Sequence, residues 1–127
     1  MSAPLRVLIA DDDRDAVLTL GILLRSEGYD VRLAQSGKDA VALALEARPD
    51  VALLDLHMPG YSGLRVAQEL QHHYSRDCPL LVAVTARTHD RQLAEISGFH
   101  HFVAKPYDPR ALLALLNSVL SVISISY

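Results

Sequence analysis

Five times along this chain a short apolar run is followed by a stretch whose apolar positions recur at helical spacing. The runs are Leu5 to Ala10, Val31 to Ala34, Val51 to Leu56, Leu80 to Val84 and Phe99 to Ala104. Helices are expected over Asp15 to Glu27, Ser36 to Arg48, Ser62 to Tyr74, Thr88 to Ser97 and Arg110 to about Leu120. Gly28 and Gly98 supply stop signals, Pro49 ends the second helix, and Asp108-Pro109 pairs an N-cap with a first-turn proline for the last. Strict alternation in units of about 20 to 25 residues demands right-handed crossovers, and so a parallel sheet covered by helices on both faces. The expected fold is α/β, a doubly wound five-stranded parallel sheet in the flavodoxin-like order 2-1-3-4-5.

The most informative run is Val51-Ala52-Leu53-Leu54-Asp55-Leu56-His57-Met58-Pro59-Gly60. Its apolar residues show no helical period, which fits a strand buried on both faces, and it ends on a carboxylate before a Pro-Gly turn. At the carboxyl end of a central strand a polar group faces the crevice where ligands bind. Asp55 as an N-cap is the weaker reading, because Ser62 is better placed to cap the following helix. The first strand ends at Asp11-Asp12-Asp13, the fourth at Thr85 and the fifth at Lys105-Pro106. The strand order brings Asp11, Asp12, Asp55, Thr85 and Lys105 round one crevice.

Three carboxylates gathered within about 5 Å repel by roughly 3 kcal/mol per pair at an effective dielectric of about 20, so a cation belongs among them. Cys78 is the one cysteine, which excludes an internal disulfide and any zinc cluster built on cysteines. The remaining hard oxygen ligands favour Mg²⁺, with Mn²⁺ as the substitute, and leave positions open for a phosphoryl group. Lys105 adds a compact cation and Thr85 a hydroxyl donor. An aspartate in such surroundings is an activated carboxylate nucleophile for phosphoryl chemistry.

With these pieces in place the sequence resembles a receiver domain of the two-component response-regulator family from Leu5 to about Leu120. The matching segments are Val7 to Asp13, Leu53 to Gly63, Val84-Thr85-Ala86 and Val103-Ala104-Lys105-Pro106. Each alone is a weak motif, and four in order at the right distances are strong. The resemblance implies Asp55 as phosphoacceptor. It implies Asp11, Asp12, Asp55 and the His57 backbone carbonyl around Mg²⁺, Thr85 and Lys105 as phosphoryl ligands, and a cis bond between Lys105 and Pro106. It further implies Thr85 and Phe102 as the switch pair. His57 and Arg87, two residues past Asp55 and Thr85, are implied as modulators of phosphate lifetime.

The partner implied is a histidine kinase or histidine phosphotransfer protein. The output implied is a downstream protein or a second copy, met through the face of the fourth helix, fifth strand and fifth helix. Leu112, Leu113, Leu115, Leu116, Val119 and Leu120 cover more than one face of the last helix, so some of that surface is expected to be buried by a partner.

At 127 residues and 50% hydrophobic the chain is expected to be one domain over 1–127, with its core at about 5–120 and a tail at 121–127. A net charge of −3 with no basic cluster argues against direct nucleic-acid binding. The absence of a long apolar span argues against membrane insertion, and the lone cysteine fits a cytoplasmic setting. The doublets His72-His73 and His100-His101 are poor chelators, because adjacent side chains point to different faces. The expected role is a signalling module rather than an enzyme. The alternative is a Mg²⁺-dependent phosphohydrolase with an aspartyl-phosphate intermediate, whose better-known form needs an acid where His57 stands. A flavin or nucleotide carrier of the same fold would need a phosphate loop where Asp11-Asp12-Asp13 would repel it.

Overall fold

The structure, a computed structural model, describes residues 4–125, with side chains as far as Val119. The elements in chain order are β1 (Arg6–Ala10), α1 (Arg14–Ser26), β2 (Asp30–Ala34), α2 (Gly37–Glu46), β3 (Val51–Asp55), α3 (Gly63–Tyr74), β4 (Leu80–Thr85), α4 (Arg91–Ile96), β5 (His101–Ala104) and α5 (Pro109–Ile125). Single 3-10 turns at Ser75–Asp77 and Thr88–Asp90 precede β4 and α4.

All strand pairs are parallel and the order is β2-β1-β3-β4-β5, as the alternation requires. Alternation along the strands divides the core. Val7, Ile9, Val51, Leu53 and Val82 pack against Val17, Leu20 and Leu24 of α1 and Leu112, Leu113 and Leu116 of α5. Leu8, Ala10, Ala52, Leu54, Leu81 and Ala83 pack on the other face with Ala40, Ala44, Val66, Ala67, Leu70 and Ala94 of α2, α3 and α4. Leu53 and Leu54 are both essentially inaccessible, and each contributes about 1.5 to 3 kcal/mol of burial. Every residue of the strand that carries Asp55 is buried.

Four helices start on side-chain caps, the last being α5, where Asp108 Oδ1 accepts the Arg110 N–H at 2.9 Å as the sequence leads one to expect. Asp13 accepts from the backbone N–H groups of Asp15 and Ala16, Ser36 from Asp39 and Ser62 from Arg65. The third residue of the Asp11-Asp12-Asp13 run is thus a helix cap rather than a member of the acidic site.

The helix expected over Thr88 to Ser97 is a 3-10 turn followed by under two α-helical turns, because Ala94 is its one buried apolar anchor. The last strand begins at His101, two residues later than its apolar run. Before it, His100 Nδ1 accepts the Leu81 N–H at 2.9 Å while the His100 N–H donates to the Leu81 carbonyl. The tail expected from residue 121 continues α5 as far as Ile125. Residues 126–127 and the Leu120 side chain lie outside the described part.

Much of the aliphatic surplus on α5 packs internally as far as Leu116. Leu112, Leu113 and Leu116 are buried, and Leu115 packs half-buried against the same cluster, because α5 meets α1 as well as the sheet. The exposed large apolar side chains among the described residues lie elsewhere: Leu18 and Ile22 on α1, Leu45 on α2, and Leu93 and Ile96 on α4. No helix among the described residues is long and apolar enough to cross a membrane.

Candidate functional site

The carboxyl ends of β1, β3, β4 and β5 deliver the polar residues to one crevice. Asp11 follows β1 directly and is buried, while Asp12 is exposed beside it. Asp55 is the last residue of β3 and Thr85 the last of β4, and both are buried. Lys105 follows β5, and its backbone N–H donates to the Thr85 carbonyl at 2.8 Å. The peptide bond from Lys105 to Pro106 is cis.

Side chains from segments far apart in sequence meet here. One oxygen from each of Asp11, Asp12 and Asp55 lies within 4.8 Å of the others. Lys105 Nζ donates to Asp11 Oδ2 at 2.8 Å and to Asp55 Oδ2 at 3.2 Å. The second oxygens are held by backbone, with Asp13 N–H on Asp11 Oδ1 at 2.9 Å and His57 N–H on Asp55 Oδ1 at 3.0 Å. Thr85 Oγ1 accepts the Arg87 N–H at 3.1 Å. The close seat of α3 fixes the strand end, since a Cβ on Gly63 would lie 2.3 Å from the Asp55 carbonyl oxygen.

The electrostatics follow from that packing. Burial raises the Asp55 pKa above the usual carboxylate value. The charge of Asp11 adds to the rise, against the lowering effects of the His57 N–H and Lys105. Burial lowers the Lys105 pKa, but its bonds and charges with Asp11 and Asp55 outweigh this and raise it overall. Tyr107, two residues on, is held protonated to higher pH by burial and then by the Asp11 charge. Three carboxylates against one ammonium leave the cluster short of positive charge. All the clustered ligand atoms are hard oxygens, so the donor set fits Mg²⁺ or a similar divalent ion.

The flanking residues are placed as follows. His57 directs Nε2 to Asp90 Oδ2 at 2.5 Å instead of projecting freely into solvent. This holds the Asp90 pKa below the usual value. Arg87 is exposed in the loop between β4 and α4. Phe102 lies half-buried on β5, with the Arg91 guanidinium 5.1 Å from its ring centre. Asp90 and Arg91 are the residues that reading the sequence does not single out. Asp90 falls inside the expected helix Thr88 to Ser97, where an acidic residue looks like ordinary solvated surface, and an exposed arginine carries no local signal.

Comparison with known proteins gives these features a family. The family model described as response regulator receiver domain matches residues 7–117. The CheY-like receiver domain protein of Methanospirillum hungatei superposes with a TM-score of 0.88 at 22% identity, covering 98% of this chain and 99% of that one. The chemotaxis protein CheY4 of Vibrio cholerae gives 0.85 at 28% identity, covering 92% and 99%. The response regulator protein TrrA of Thermotoga maritima, solved in complex with Mg²⁺-BeF, gives 0.79 at 28%, covering 90% and 97%. Taken with the parallel 2-1-3-4-5 sheet, the match over residues 7–117 means that this chain belongs to the response regulator receiver domain family.

Proposed function

We propose that Asp55 accepts a phosphoryl group from the phosphohistidine of a histidine kinase or a histidine phosphotransfer protein. An Asp55 carboxylate oxygen attacks phosphorus, the phosphorus–nitrogen bond breaks, and the donor imidazole leaves. The observation that carries the reading is the Lys105 ammonium held between Asp11 and Asp55, beside a third carboxylate. Lys105 keeps its charge at neutral pH and is within reach of oxygens carried by Asp55, where it offsets charge as the phosphoryl group arrives. Thr85 offers its hydroxyl as a donor from the neighbouring strand end. Asp11, Asp12, Asp55 and the His57 backbone carbonyl would hold Mg²⁺. That ion, with Mn²⁺ as its substitute, supplies charge neutralisation for the transferring group. The Mg²⁺-BeF complex of TrrA, a relative, supports this choice.

The chain's own residues suggest how occupancy is signalled. Thr85 and Phe102 form the switch pair, joined through the β4–β5 ladder in which Thr85 pairs with Ala104 and Ala83 with Phe102. The output is a downstream protein or a second copy, met through the face of α4, β5 and α5, where Leu93 and Ile96 are exposed. His57 and Arg87 flank the acceptor and modulate phosphate lifetime. The composition and the missing apolar span support a cytoplasmic module without direct nucleic-acid contact. For the phosphohydrolase alternative, an acid is missing at His57, whose ring is engaged by Asp90.

Incubation with Mg²⁺ and acetyl phosphate tests the proposal. Stoichiometric, base-labile labelling that disappears in Asp55→Asn supports it. Label that persists in Asp55→Asn, or catalytic phosphate release from organic esters, overturns it.

A further inference from the structure

Asp90 closes the 3-10 turn that leads directly into α4, and its side chain makes no hydrogen bond to that helix. Asp13, Ser36 and Ser62 precede α1, α2 and α3 in extended conformation, and each accepts a first-turn N–H. The Asp90 backbone is already helical where those three caps are extended, so its carboxylate is not directed at the first turn of α4. The Asp90 carboxylate turns away from the helix. Its side chain is 11% exposed, and Oδ2 meets His57 Nε2 at 2.5 Å. The exposed His89 ring lies farther off, with Nε2 3.6 Å from Oδ1.

His57 is anchored at its other end, since its backbone N–H holds Asp55 Oδ1. The side-chain bond therefore closes a bridge between the loop after β3, which follows Asp55, and the loop after β4, which follows Thr85. Such a bridge crosses the α4 side of the crevice. It fixes the imidazole at both the backbone and the ring, whereas a free histidine would sample several rotamers.

We propose that Asp90 is a positioning residue for the phosphoryl site: it pins the His57 imidazole across the α4 flank of Asp55 and restricts the approach of water to the aspartyl phosphate. The inference rests on Asp55 being the phosphoacceptor. In the restricted step a water oxygen attacks phosphorus and the bond from phosphorus to the Asp55 oxygen breaks. The carboxylate and inorganic phosphate are released, with the water proton passing to solvent. Asp90 touches neither phosphate nor water and acts through His57.

The test follows first-order loss of acyl phosphate after labelling the full chain with acetyl phosphate and Mg²⁺ and removing the donor. Asp90→Ala and His57→Ala are each expected to speed the loss about fivefold, and the double variant to be no faster than either single one. Asp90→Asn keeps an acceptor oxygen for the Nε2–H and is expected to stay within about twofold of wild type. The slowly exchanging Nε2 proton of His57, read by NMR, should be present in wild type and Asp90→Asn and absent in Asp90→Ala. A lifetime unchanged by Asp90→Ala, or an Asp90→Ala effect that persists in full in the His57→Ala background, overturns the proposal. If Asp90→Ala does not fold, His57→Ala decides, and an unchanged lifetime there overturns it equally. Failure of wild-type Asp55 to label defeats the phosphoacceptor reading and this proposal together, whereas labelling with a lifetime indifferent to residue 90 defeats this proposal alone.

Discussion

Lys105 Nζ donates to Asp55 Oδ2 at 3.2 Å, and the same ammonium bonds Asp11 Oδ2. The lysine thus stands in for part of the positive charge that the carboxylates lack. It also competes with any divalent ion for the same oxygens.

Replacing it should move two observables in opposite directions. In Lys105→Met, Mg²⁺ affinity measured by titration calorimetry is expected to rise severalfold, because an internal competitor is gone. Phosphorylation of Asp55 by acetyl phosphate is expected to fall by about 10²-fold or more, because a charge-stabilising donor is gone. A parallel fall of both quantities would show that the lysine serves mainly to hold the site's shape.

Asp55 gives a pH-dependent stability prediction. Its folded pKa is raised, by burial first and by Asp11 next. The folded state therefore binds this proton more readily than the unfolded chain does. Stability from the group is complete below the unfolded value of about 3.9 and is lost as pH rises through the folded value. Above the folded value the ionised Asp55 is a liability that Lys105 only partly offsets. Asp55→Asn should raise stability by about 1 kcal/mol at pH 7 without metal, with the gain vanishing as pH approaches 4. Denaturant unfolding at several pH values checks this, and Mg²⁺ should shrink the difference at pH 7 by stabilising only the wild type.

Gly63 couples the seat of α3 to the strand end that bears Asp55. An added Cβ would lie 2.3 Å from the Asp55 carbonyl oxygen and 2.9 Å from its carbon, so one of the two backbones must move. Gly63→Ala is expected to cost about 1 to 3 kcal/mol by chemical denaturation, despite the better helix propensity of alanine. Acetyl-phosphate labelling should fall as well, because the same displacement shifts the Asp55 carboxylate relative to Lys105.

The parts of this molecule that were legible in its sequence share a cause. Buried parallel strands read as unbroken apolar runs, so β1, β3 and β4 declare themselves, and a polar residue ending such a run can only lie at the crevice. Asp11, Asp55 and Thr85 were visible for that reason, and Lys105 by its place after the fifth run. Asp90 was not, because a solvated aspartate in the first turn of a helix and one turned toward a distant histidine have the same local sequence. Nor was the burial of α5, whose leucines are shared between the sheet and α1. Helical periodicity reports how wide an apolar stripe is, and gives no information on how many neighbours cover it.

Arg91 and Phe102 carry the last prediction. The guanidinium lies 5.1 Å from the ring centre, and it starts α4 immediately after the residue that holds His57. An exposed contact of this kind is worth about 0.5 to 1 kcal/mol, so Arg91→Ala should destabilise by no more than that. Its larger effect should be local, because removing the guanidinium uncovers one face of a half-buried aromatic ring. The aromatic proton shifts of Phe102 are expected to move, and to become more sensitive to phosphorylation, as the ring exchanges more freely between positions. Arg91→Lys keeps the charge but loses the flat stacking surface, and should fall between the two. Phe102 shifts unchanged in Arg91→Ala would mean that the ring is held by the β4–β5 ladder and the core beneath it, with α4 contributing nothing to its position.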